Sequence, residues 1–197
     1  MVAHRRLAGR RPERRSADKH AAILEAAAAV VSARGYRAAT IEAVAAHAGV
    51  GKQTIYRWWP NKPALFVEVY AALVPAARLQ AELGSAADEL RYCLRKLFGI
   101  YREGPAACIL VGLIAEAQDD SSAAGALREG LIVGRRALLS EPMRRGVARG
   151  ELTAEFDCER ASDLIVALIW YRLLSGQGGP DDDFVETLID MALRSSG

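Results

Sequence analysis

The sequence predicts an all-α fold on three grounds. Ala, Leu and Arg dominate the composition, apolar residues recur at three- and four-residue steps rather than alternating, and no stretch reads as a strand or an internal repeat. With 197 residues, 51% of them hydrophobic, the chain has enough apolar material for one compact domain with a small one appended.

Taken in order, residues 1–15 form a polar arm carrying Arg5, Arg6, Arg10, Arg11, Arg14 and Arg15, and are expected to be flexible. Ser16 or Asp18 is placed to cap a first helix whose inward stripe is Ile23, Leu24, Ala27, Val30 and Val31, and Gly35 ends it in the left-handed region. Thr40 is suited to cap a second helix, with Glu42 near its positive end. Gly49 reverses the chain, and a third, short helix runs up to Pro60. Asn61 caps a fourth, with Pro63 tolerated in its first turn and Leu65, Phe66 and Val69 facing inward. Pro75 ends that helix and Gly84-Ser85 marks the next break. Further helices are expected at roughly 85–102, 105–118, 121–149 (with a break near Ser140 to Pro142), 157–175 and 181–195. The Gly176 to Pro180 segment is a turn, after which Asp181 to Asp183 supply a cap and an acidic first turn. The expected organisation is an arm over 1–15, a helix-turn-helix domain over 16–62, a connecting helix at about 62–74, and a second domain over 75–197.

Charge divides the chain. Residues 1–62 hold 12 Lys/Arg against 4 Asp/Glu, a net of +8, and the remainder holds 14 against 20, a net of −6. A basic N-terminal third suggests one surface that meets a polyanion and a body that does not. Cys93, Cys108 and Cys158 lie far apart in apolar helical stretches, so the expectation is three buried, reduced thiols with no disulfide framework. The basic N-terminus lacks the apolar run of a signal peptide, and the most apolar run, Leu164 to Tyr171, is far short of the ~20 residues a membrane span needs. A cytoplasmic protein is expected.

The segment TIEAVAAHAGVGKQTIYRWWPNK, residues 40–62, carries the functional signal. Ile41, Val44, Ala45 and Ala48 share one face of the first short helix, and small Ala45 permits a close helix crossing. Val50 buries the turn, while Ile55 and Trp59 plug the second short helix onto the first. Lys52, Gln53, Thr54, Tyr56, Arg57 and Trp58 are left for the exposed faces. In a helix-turn-helix the start of the second helix reaches base edges in the major groove. Gln53 can bond bidentately to adenine, and Thr54 can meet a thymine methyl or a phosphate. Lys52, Tyr56 and Lys62 suit phosphate anchoring, which fixes register without reading sequence. The Arg-rich arm has two readings, a minor-groove contact and a solubilising tail.

The run AATIEAVAAHAGVGKQTIYRWWPNKPALF closely resembles the DNA-binding domain of the TetR/AcrR family of regulators, from about Ser16 through the fourth helix. The resemblance implies a three-helix DNA-binding head on an all-helical ligand-binding and dimerisation domain. It assigns Thr40 to the cap, Gly49-Val50 to the turn, Lys52 to Trp58 to the recognition helix and Lys62 to a phosphate contact. Two departures stand out: Gly51 replaces a usual capping Ser, removing a hydroxyl, and Gln53 replaces a usual small residue, which points to a base contact particular to this operator. The stretch ALIWYRLLSGQGGPDDDFVETLIDMALR looks like the C-terminal end of a subset of the family, more loosely.

Residues 161–174 are apolar on nearly every face, more than one domain of this size readily buries. A second copy resolves this, with Leu164, Leu168, Tyr171, Phe184, Leu188 and Ala192 meeting their symmetry mates in a four-helix bundle. A homodimer also fits a palindromic operator read in successive major grooves. Leu97, Phe98, Tyr101, Leu113 and Trp170, with the run Ile109 to Ile114, are candidates to enclose a mainly hydrophobic pocket for a small-molecule effector. Glu116 either orients a cationic or hydroxylated ligand there or marks a helix's wet end. The resulting expectation is a DNA-binding repressor released by a small, mostly hydrophobic ligand. The alternatives are an activator or ligand-independent repressor, and a helical oligomeric adaptor without DNA binding. Catalysis is not indicated. The histidines (His4, His20, His47) lack nucleophile partners or metal-ligand spacing, and GVGKQT fails the phosphate-loop pattern at Ala46 and Gln53. No cofactor or metal is called for.

Overall fold

Short polar side chains set most of the helix starts. In the computed structural model, which describes residues 10–176 and 181–194, the helices are α1 (Arg10–Arg34), α2 (Ile41–Ala48), α3 (Lys52–Tyr56), α4 (Lys62–Leu73), α5 (Ala86–Glu103), α6 (Ala106–Glu116), α7 (Ser121–Leu127), α8 (Ala137–Arg149), α9 (Cys158–Ser175) and α10 (Asp182–Arg194). Thr40, Asn61, Ser85, Asp120, Asp157 and Asp181 each accept a backbone N–H of the first turn that follows. Each such cap contributes about 1 kcal/mol by filling a donor the helix cannot satisfy itself. At the other ends, Gly35 and Gly49 adopt φ of +78° and +64°, values that side chains with a Cβ rarely tolerate.

Three expectations about the elements are corrected. α1 begins at Arg10 rather than at a Ser16 or Asp18 cap, so helical backbone extends into the basic segment, while Arg5 and Arg6 lie outside the described residues. The break expected near Ser140 to Pro142 falls earlier, at a π turn over Arg128–Val133 followed by a turn at 134–136. Pro142 instead sits inside α8. Proline removes the hydrogen bond to the carbonyl four residues back, and that carbonyl, of Leu138, receives a long contact from the Cys93 thiol at 3.9 Å. Cys108 is exposed, not buried, because α6 turns Ile109, Leu110, Leu113 and Ile114 inward instead. Cys93 is buried and Cys158 half-buried, and all three are free thiols.

The layering places α4 at the centre of the molecule. It packs against α1 on one side and against α6, α7 and the π turn on the other. α5 packs on α8 and α10, and α9 lies across α6, α8 and α10. Phe66, Phe98, Leu90, Leu94, Ile109, Leu113 and Ile165 are fully buried along this core. No single described helix is long and apolar enough to cross a membrane, and α5 and α6, apolar as a pair, meet at 88°.

A charged clamp joins α5 to α8. The Glu89 side chain of α5, 0% exposed, accepts from Arg145 at 2.5 and 2.8 Å and from Arg149 at 3.2 Å, both on α8. Removing either partner of such a pair has unequal cost. Arg145 and Arg149 keep access to water, so Glu89→Gln is expected to cost only about 1–2 kcal/mol. The double variant Arg145→Met/Arg149→Met strands a buried carboxylate and is expected to cost about 3–5 kcal/mol. Urea unfolding of the two variants checks the order.

Candidate nucleic-acid interface

A five-residue helix cannot hold its own orientation in water, so α3 depends on what anchors it. Gly49 closes α2, and Val50 donates back to the Ala45 carbonyl at 3.0 Å, completing the cap. Gly51 then starts α3 in extended backbone with no side-chain cap. Ile55 and Trp59, both buried, fix α3 and its exit onto the α1–α2 pair. This matches the expected plugs.

Gly51, Lys52, Gln53, Tyr56 and Arg57 are exposed, with half of the Tyr56 side chain facing solvent, and Thr54 is half-buried. Gln53, Tyr56 and Arg57 stand three and four residues apart, so they share one outward face of the turn. Thr40 is exposed beside it, its Oγ1 engaged by the Ala43 N–H at 3.2 Å. Lys52 is tethered across the surface to Glu42 at 3.0 Å, which lowers the Glu42 carboxyl below its ordinary range and raises the Lys52 ammonium. Both groups are solvated, so this tether is weak and exchangeable.

Two residues assigned to this face lie elsewhere. Trp58 is half-buried, its ring edge-on to His20 at 5.4 Å and to Trp59 at 5.7 Å, because the apolar indole packs against the base of α1 rather than projecting. Lys62 points into the joint between head and body. Its Nζ lies 3.6 Å from Glu116 of α6 and 4.0 Å from the centre of the Tyr36 ring, drawn there by a carboxylate and an aromatic face.

The sequence reading missed both clusters that brace the head. In the first, Glu68 of α4 accepts from the Trp59 indole N–H at 2.6 Å with one oxygen and meets His20 of α1 at 3.1 Å with the other. Three elements are thereby held by one carboxylate. In the second, Tyr36 donates its hydroxyl to Glu116 at 2.6 Å and lays its ring against Phe66 and over Gly112. A Cβ at position 112 would overlap that ring. Burial, then the neighbouring carboxylate, pushes the Tyr36 hydroxyl far above its ordinary range, so it remains a neutral donor. A glycine inside the apolar run VGLI was the available signal, since such a glycine often marks close approach of another element.

The body's predicted residues divide similarly. A cavity of about 90 Å³ lies between α4, α5, α6, α9 and the π turn, and Leu97, Tyr101 and Trp170 line it, together with Tyr70, Val166 and Arg135. Phe98, Leu113 and Glu116 do not. Phe98 stacks on Phe184 at 6.1 Å, Leu113 is buried in the core, and Glu116 serves the joint. Of the proposed subunit-contact residues, Leu164 and Tyr171 are exposed and Leu168 is half-buried on the outer side of α9, whose inner side is Ala161, Ser162, Ile165 and Ile169. Leu188 and Ala192 are instead buried within the protomer, because α10 spends its one apolar face on its own core, and Phe184 is taken by Phe98 and by the Arg172 guanidinium. Among the described residues no cluster of His, Cys, Asp and Glu could hold a metal ion.

Comparison with known proteins agrees with this geometry. Residues 80–192 match the family described as tetracyclin repressor-like, C-terminal domain, and residues 23–69 match the bacterial regulatory proteins of the tetR family. The chain is 30% identical over 182 residues to the uncharacterized HTH-type transcriptional regulator YdeS of Bacillus subtilis, spanning 91% of this chain and 90% of YdeS. It is 32% identical over 188 residues to the DNA-binding transcriptional repressor TetR of Mycobacteroides abscessus, spanning 91% and 94% of the two chains. The solved structure of the TetR family transcription regulator SCO0332 superposes with a TM-score of 0.76 at 31% identity, over 89% of this chain and 97% of that one. With its helix-turn-helix displayed on an all-helical body, the chain belongs to the TetR family of DNA-binding transcriptional regulators.

Proposed function

We propose that this regulator is a cytoplasmic homodimeric repressor, without enzymatic activity, that places α3 in the major groove of a palindromic operator and leaves it when a small ligand fills the cavity in the body. The observation that carries the reading is the double duty of α4. Its N-terminal part carries the contacts to the head, through Lys62 and Phe66 on the Tyr36 ring and Glu68 on Trp59 and His20. Its C-terminal part supplies Tyr70 and Val74 to the cavity wall. A ligand that displaces Tyr70 therefore acts on the same rigid helix that positions Trp59 and the exit of α3. The π turn opposite α4 packs closely enough that a Cβ on Gly130 would overlap Val67 of α4, so movement of that wall is also felt by α4. A cavity of about 90 Å³ is smaller than the roughly 150 Å³ that holds a benzene ring in an engineered apolar site. An effector of useful size must push the walls apart, and it is this difference in affinity between two wall positions that shifts the population.

On the DNA side, Gln53 reads a base and Lys52, Tyr56 and Arg57 hold phosphates, with Thr54 at the margin. On the body, the outward stripe of Leu164, Leu168 and Tyr171 supports pairing of two copies across α9, because a long apolar stripe on a charged surface marks an interaction face. Tyr56→Ala should weaken binding to every sequence. Gln53→Ala should cost about 1–3 kcal/mol at one base-pair position only. Sequencing of genomic fragments retained by the purified protein, followed by gel shifts on operator variants, separates the two. A uniform loss in both variants removes Gln53 from base reading.

Leu164→Arg is expected to halve the sedimentation mass while preserving helicity, since the residue is 40% exposed in the protomer. An unchanged mass would exclude α9 as the pairing face. Gly112→Ala forces Tyr36 off its seat and is expected to cost about 1–3 kcal/mol of stability, as overpacking usually does. In the same variant, operator affinity should become less responsive to effector, which a gel shift with and without ligand measures.

A further inference from the structure

The cavity contains one charge that nothing balances. Arg135, in the turn before α8, points its Nη1 into a buried position with no hydrogen-bond partner, and its Nη2 has only a long contact to the Ala71 carbonyl at 3.4 Å. Its guanidinium carbon lies 5.2 Å from the centre of the Tyr70 ring. No carboxylate among the described residues pairs with it, and burial lowers its pKa as expected for a cation taken from water. The adjacent Arg136 differs. It is neutralised by Asp163 at 3.0 Å and Glu159 at 3.2 Å, so Asp163, although it also lines the cavity, is already committed. Beside Arg135, the Tyr70 and Tyr101 hydroxyls bond to each other at 2.6 Å. Two hydroxyls sharing one hydrogen bond leave one O–H proton undirected. Burial raises both phenols above their ordinary range, so neither becomes the missing anion. The other walls, among them Leu97, Leu110, Val166 and Trp170, are apolar.

We propose that this cavity binds a compact apolar acid, with its anionic group on Arg135 and the spare tyrosine hydroxyl and its hydrocarbon or aromatic body against Leu97, Leu110, Val166 and Trp170. The inference rests on the effector reading of the cavity and names the chemical class that reading leaves open. Arg135 is half-buried with its Nη1 shielded from water, a position that is costly for a cation until paired, and a bidentate anion satisfies the guanidinium fork that the protein itself leaves incomplete. A cationic ligand meets repulsion instead, and a neutral one can accept from Nη1 but leaves the guanidinium charge unbalanced. Binding that anion also draws Arg135 and Tyr70 toward one point, and Tyr70 belongs to α4.

The test uses the full chain, wild type and Arg135→Met, which keeps a flexible apolar stem. In the absence of ligand the melting temperature of the variant is expected not to fall; a fall would make Arg135 a structural strut and overturn the assignment. Calorimetric titration then compares phenylacetate, phenyl phosphate, phenylacetamide and 2-phenylethylammonium. The wild type should bind one of the two anions on the order of tenfold or more tighter than the amide and the amine, and Arg135→Met should lose that preference. The preferred anion distinguishes a carboxylate effector from a phosphate monoester. Equal affinity across the four, preference for the amine, or no binding by any of them overturns the proposal. Operator binding by gel shift is read separately: its absence in the wild type would sink the operator reading while leaving an acid preference intact, and its presence beside a failed titration would do the reverse.

Discussion

Tyr36 follows Gly35 in the head's first turn, sets its ring on Gly112 of α6 and gives its hydroxyl hydrogen to Glu116, while the Lys62 ammonium sits over the ring. The head's turn, the start of α4 and the end of α6 meet there in one contact that tolerates no extra methyl group. Because the ring is buried and its hydroxyl cannot ionise in the working range, the joint has a single protonation state on the tyrosine side. Packed interfaces of this kind occupy discrete arrangements rather than deforming smoothly. A shift of α6 or α4 is therefore passed to the head as a change of position, which is what a two-position regulator needs.

The cavity is built at the other end of the same helix. α4 is twelve residues, about three turns, and its ends serve different masters: Asn61 caps it and also donates to Ser122 of α7 at 2.6 Å, while Tyr70 reaches Tyr101 of α5. Between them Glu68 holds Trp59 and His20. The π turn forms part of the cavity wall, and single π turns of this kind frequently occur at functional sites. Leaving Arg135 without an acid costs stability in the empty protein, and that cost is what an anionic occupant relieves. The differential affinity required for a population shift is thus located in one unsatisfied guanidinium and one movable wall.

Much of the head was legible because its signals are local. Thr40, Gly49, Ile55, Trp59, Pro60 and Asn61 act within a few residues of themselves, through caps, a left-handed turn and short-range plugs. The body was harder for a physical reason. A helix apolar on nearly all sides, as at 161–174, gives no phase, so the sequence pattern could not say which of its faces meets the protomer's own core. Leu188 and Ala192 on α10 look like Leu164 on α9 in composition, but α10 has only one apolar face and buries it internally. The joint that Glu116 and Lys62 form is not legible from their own helices, because their partner, Tyr36, lies 80 residues from Glu116 in sequence. Arg135 gave no signal at all, since a missing partner is a property of three dimensions.

The shortness of α3 ties these threads together. Isolated helices below ~12–15 residues are marginal in water, and α3 has five residues and lacks a side-chain cap at Gly51. Its orientation is therefore borrowed from the elements that hold Ile55 and Trp59. Trp59 is fixed by Glu68 and by the His20 ring at 4.6 Å, so α1 and α4 together determine where Gln53 and Tyr56 point. A longer, self-supporting recognition helix would be less sensitive to such shifts. Here a small displacement of α4 has no local stiffness in α3 to resist it, and the reading face moves with the helix that the cavity touches.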